Sequence, residues 1–87
     1  MKIKDLDHAS YMTIMAIGGD QWRLSGMVDG EIRHTSTPVK FDKEKMLVTT
    51  YSGSVYRIAS ISDYTTKEKL IEYIEEDVAR SREVIHD

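Results

Sequence analysis

The chain has no cysteine, so neither a disulfide nor a thiolate metal site can reinforce it. That suits a reducing compartment. It has no asparagine, which excludes N-glycosylation. No apolar run approaches the roughly 18 residues of a membrane span, so no membrane partner is expected. The opening MKIKDLDHAS has acids where a signal peptide needs an apolar core. These absences together predict a cytoplasmic protein. Proline occurs once, at Pro38, and there is no linker, internal repeat or low-complexity segment.

What remains is 87 residues, 40% hydrophobic and 31% charged, which reads as one domain spanning 1–87. A chain this short buries about 60–65% of its unfolded surface, so its core is small. Met12, Met15, Met27 and Met46 supply flexible filling for it. Such a chain is a candidate for dimerising through an open sheet edge or through Trp22. The net charge of -3 is uneven: -1 over residues 1–30, +2 over 31–60 and -4 over 61–87.

The acid belongs to a C-terminal helix, predicted over 65–86. Thr65 and Glu68 have capping-box spacing, with Tyr64 placed to staple onto Lys69. Leu70, Ile71, Ile74, Val78, Ser81 and Ile85 fall on one side at about 100° per residue, a stripe that must be covered. Glu68, Glu72, Glu75, Glu76 and Glu83 fall opposite. Glu76 with Arg80 is a favourable i, i+4 pair, whereas Glu68–Glu72 and Glu72–Glu76 repel. The glutamate side is therefore not arranged for helix stability. It is either a solvated face or a docking stripe for a protein partner with a basic surface.

Ahead of the helix, residues 11–61 read as an antiparallel meander. Residues 1–10 form an N-terminal segment with room for a single turn. Asp5, Asp7 and His8 lie close together, but no further ligand has metal-site spacing, and no metal or cofactor is expected. Tyr11–Ile17 reads as a strand from its length and its β-branched residues, with a helix ending at Gly18-Gly19 as the alternative. Gly18, Gly19 and Asp20 then make a turn.

Trp22, Leu24, Gly26 and Val28 alternate onto one face before the hairpin signal Asp29-Gly30. A three-residue loop with Gly30 as bulge residue sets Gly26 opposite Ile32 and Leu24 opposite His34. It is preferred to a two-residue turn because it keeps Ile32 on the apolar face. Pro38 requires an edge or a bulge. A two-residue Ser52-Gly53 loop would pair Leu47 with Ile58 and Thr49 with Tyr56. The expected class is α+β, about five antiparallel strands packed against one C-terminal helix, with curling into a small half-barrel as a variant.

No chemistry-bearing motif is present. Ser52 and Ser54 sit in a turn without a nucleophile elbow, no glycine-rich phosphate loop exists, and the carboxylates cluster on an exposed helix face. An enzyme is not expected. The middle segment carries Arg33, Lys40, Phe41, Lys43, Lys45 and Arg57, a mixture with which small barrels bind single-stranded nucleic acid. The acidic helix opposes that reading.

The favoured reading is a non-enzymatic protein-binding module that uses Glu68, Glu72, Glu75, Glu76, Glu83 and Trp22. In size, acidity and sheet-plus-helix build the chain resembles the small inhibitors made by phages and mobile elements, such as anti-CRISPR and other anti-defence proteins. The resemblance implies an inhibitor or modulator of a protein partner, and assigns no residue.

Overall fold

Leu6, Ala9 and Tyr11 are buried on one strand although their spacing is three, then two. The irregular step is a β-bulge: the register shifts between Asp7 and Ser10, and His8 takes a φ of 52°. This bulge hides the period of two that marks a strand. The N-terminal segment is accordingly the first half of a long strand, β1 (Ile3–Ala16), and neither a free segment nor a single turn. The structure, a computed structural model, describes residues 2–85 apart from the side chains of residues 16, 20 and 83–85. The other elements are β2 (Gly19–Val28), β3 (Glu31–His34), β4 (Pro38–Asp42), β5 (Leu47–Thr50), β6 (Val55–Ile58) and α1 (Lys67–Ile85).

The fold is α+β, with six strands where about five were expected. The sheet order is β3-β2-β1-β6-β5-β4. Every neighbouring pair is antiparallel except β1 and β6, which run parallel through Ile3↔Val55 to Leu6↔Ile58. The simple meander is thus broken in the middle, where β1 brings together two antiparallel three-stranded units. The sheet is open. Yet residues 35–37 alone connect β3 to β4, the two outermost strands, and so short a link reaches only about 14 Å. The sheet must curl for it to do so. Thr35 N–H donates to Leu24 O at 2.9 Å, and Tyr51 N–H donates to Thr37 O at 2.8 Å, tying the link to both sides.

Both firm hairpins differ from expectation by one residue. Asp29-Gly30 is a two-residue turn, pairing Val28 with Glu31, Gly26 with Arg33 and Ser25 with His34. Both turn residues have positive φ, 52° and 81°, as a type I′ turn requires; its twist matches the strands and outweighs burial of Ile32, which stays 69% exposed. The Ser52-Gly53 hairpin has a three-residue loop, with Gly53 at φ 90° and hydrogen-bonded to Thr50 O at 2.9 Å. It pairs Val48 with Tyr56 and Leu47 with Arg57, so that Val48 and Thr50 are the buried residues of β5. Pro38 lies on an edge strand and at a bulge, as its missing N–H demands. The first turn is made by Ile17-Gly18, and Gly19 and Asp20 already belong to β2.

The helix begins two residues later than expected. Thr66, not Thr65, caps it: its Oγ1 accepts from Lys69 N–H at 3.2 Å. Tyr64 is 98% exposed and staples nothing. Leu70, Ile74 and Val78 are buried and complete a core with Leu6, Leu24, Val48, Tyr56 and Ile58. The side chains of Glu83 and Ile85, and His86 as expected last residue, lie outside the described residues.

Candidate functional site

Tyr11 and Trp22 project from the same sheet face, because Tyr11 pairs with Leu24 and Thr13 with Trp22 across the β1–β2 ladder. The helix adds Tyr73, one residue before the buried Ile74. The three rings touch: centroids are 5.8 Å apart for Tyr11–Trp22, 5.4 Å for Tyr11–Tyr73 and 5.8 Å for Trp22–Tyr73, the last pair edge to face. Beneath them Tyr11 Oη donates to Asp77 Oδ2 at 2.6 Å, and Arg80 Nη2 donates to Asp77 Oδ1 at 2.9 Å. Asp77 is an acid only 9% exposed, and this pair of donors is what satisfies it. Burial, reinforced by the Asp77 hydrogen bond and charge, drives the Tyr11 pKa far above the ordinary tyrosine value. Tyr11 is a fixed donor that orients the seam.

The trio walls a cleft of about 460 Å³ that also takes in Met12, Met27, Ile32 and Tyr64. Trp22 is 50% exposed on it. Apart from backbone, its polar groups are the hydroxyls of serine, threonine and tyrosine, the indole N–H of Trp22 and the imidazole of His8, and among the described residues no carboxylate lines it. Such a wall suits an apolar or aromatic side chain.

No family model, curated protein or solved structure matches the chain.

The structure divides the residues expected to bind a protein. Glu68, Glu72, Glu75 and Glu76 are exposed, and the Glu83 side chain lies outside the described residues. Glu68, Glu72 and Glu75 share a shallow groove with Lys43 and Lys67, so a basic turn already meets that part of the stripe. Trp22 lies on the other flank of the helix with Tyr73. Glu76, three residues beyond Tyr73, is on that flank too, and its charge acts on Tyr11. The expected Glu76–Arg80 pair gives way to Asp77–Arg80, because the buried acid has the greater need of a donor.

The basic and aromatic set is dispersed as well. Arg33 is on β3, Lys40 and Phe41 on β4, and Lys43 and Lys45 in the turn that follows. Phe41 packs against the core, and Tyr56 is buried within it. Arg57 is bound to Asp5 at 2.7 Å, while Lys40, Lys43 and Lys45 stay exposed. His34 Nδ1 and Ser25 Oγ share a hydrogen bond of 2.7 Å, but Ser25 is fully buried and its hydroxyl has no route to a substrate. Among the described residues no group of acids and histidines is arranged to hold a metal.

Sequence reasoning missed Tyr11, Tyr73 and Asp77. Tyr73 and Asp77 are spaced i, i+4 beside the apolar stripe, a signal that was present. Nothing local linked them to Tyr11, 66 residues from Asp77.

Proposed function

We propose that the chain is a small non-enzymatic module that binds a protein partner, and that it acts in the cytoplasm as an inhibitor or modulator of that partner, in the manner of phage and mobile-element anti-defence proteins. The observation that supports this most is the aromatic cleft, where a half-exposed tryptophan packs against two tyrosines. Tryptophan and tyrosine in rigid clefts dominate interface energies. The partner presents an apolar anchor to Trp22 and a basic residue to Glu76. The glutamates further around the helix steer its approach and contribute less once bound.

The chain's single tryptophan makes the reading testable. Affinity capture from the native host should recover a partner with the wild-type chain and lose it with Trp22→Ala. The charge reversal Glu72→Lys, Glu75→Lys, Glu76→Lys should slow association without unfolding the protein. The purified partner should shift Trp22 emission. A partner retained equally well by both variants would end this reading.

A further inference from the structure

Among the described residues, the outer edge of β1 beyond Ala9 is free and unguarded. On that side Ala9 is the last residue with backbone partners: its N–H donates to Ser60 O, and its O accepts from Ser62 N–H, both at 3.0 Å. Beyond it, β1 pairs only with β2. Strand geometry turns every second residue the same way, so the N–H and C=O groups of Tyr11, Thr13 and Met15 point outward along this edge, as those of Ala9 do. Residues 9–19 contain no charged residue and no proline.

The other edges are protected. β4 has Pro38, Lys40 and a bulge; β3 is four residues long and carries Glu31 and Arg33; the outer edge of β2 carries Arg23. Folded proteins blunt exposed edges by such devices. Apolar residues toward the turn end of the β1–β2 ribbon are also uncovered, with Met15 at 92% exposure and Ile17 wholly exposed.

We propose that β1 pairs antiparallel with β1 of a second copy, with Thr13 facing Thr13 across the two-fold axis. This register uses all six outward backbone groups. It sets Tyr11 opposite Met15 of the other copy on one face, and Met12 opposite Ile14 on the other. Each is a favourable cross-strand pair, and no charge meets a like charge. A two-fold axis normal to the sheet keeps the same face up in both copies and closes the assembly at two chains.

Light scattering after size exclusion should give twice the 10.0 kDa chain mass. Thr13→Pro removes one outward N–H without touching the β1–β2 ladder, and should give the single-chain mass. Thr13→Lys sets like charges face to face and should do the same, with circular dichroism unchanged in both variants. Because the chain has no cysteine, Thr13→Cys should form a disulfide-linked dimer on mild oxidation, since hydrogen-bonded antiparallel pairs fall within disulfide reach. Glu44→Cys should not. A single-chain mass up to millimolar protein, an assembly larger than two chains, or a dimer indifferent to both Thr13→Pro and Thr13→Lys overturns the proposal. None of these variants alters Tyr11, Trp22 or Tyr73, so such a failure leaves the cleft reading standing.

Discussion

Tyr11 and Asp77 show how one hydrogen bond ties strand to helix. Tyr11→Phe leaves a nearly buried carboxylate without one of its two donors, and should cost about 1–3 kcal/mol in urea unfolding at neutral pH. Burial of the Tyr11 hydroxyl, reinforced by this bond, sets a pH dependence. Below the ordinary tyrosine pKa of about 10, folded and unfolded chains both keep the proton, and stability does not depend on it. Above it, the unfolded chain releases the proton while the folded chain holds it. Stability then falls as pH rises, by about 1.4 kcal/mol per unit from this group. The gap between wild type and Tyr11→Phe should therefore narrow above pH 10; parallel stability curves would refute the linkage. Gly26 is a second sensitive residue. A Cβ there would lie 2.7 Å from Asp7 O and 2.8 Å from Leu6 Cγ. The backbone at the bulge cannot yield easily, so Gly26→Ala should lose about 1–3 kcal/mol or more by the same measurement.

Among the elements, the class and most strands were legible because alternation and turn residues are local signals. Trp22 to Val28 alternates as expected, and Pro38 marked its edge. What failed was register. Each hairpin was one residue out, because turn twist and loop length, not burial of a single side chain, fix the pairing. β1 was legible only in its second half, since the bulge broke its pattern and its β6 partner lies 52 residues away. The helix was placed correctly but its cap was not: two adjacent threonines offered the same chemistry, and the capping box favoured the wrong one. Thr66→Ala should therefore cost about 1 kcal/mol, whereas Thr65→Ala should change stability by less than about 0.5 kcal/mol. Thermal melts of the two variants distinguish them, and equal losses would move the cap back to Thr65.

At the scale of the molecule, the candidate site was only half legible, because it forms where distant elements meet. Trp22 was visible as an anchor; Tyr11 and Tyr73 acquire a role only once α1, packed mainly on β4, brings Tyr73 against Tyr11 and Trp22. The glutamate stripe, which looked like one face, is divided by the Lys43 turn. The seam that makes the cleft also ties α1 to β1 and β2, so site and stability are coupled. Ile74, next to Tyr73 on the helix, is fully buried, and Ile74→Ala should cost about 2–5 kcal/mol, a large share of the roughly 4–13 kcal/mol expected of a chain this size. Trp22 emission reports the seam and far-ultraviolet circular dichroism reports mainly the helix. Since Trp22 rests on Tyr73, both signals should be lost in one transition in wild type, and in Ile74→Ala at lower denaturant. Loss of Trp22 emission before the helix signal would mean that the β1–β2 ribbon opens by itself. The cleft would then be shaped by its partner, and not presented ready-made by the fold.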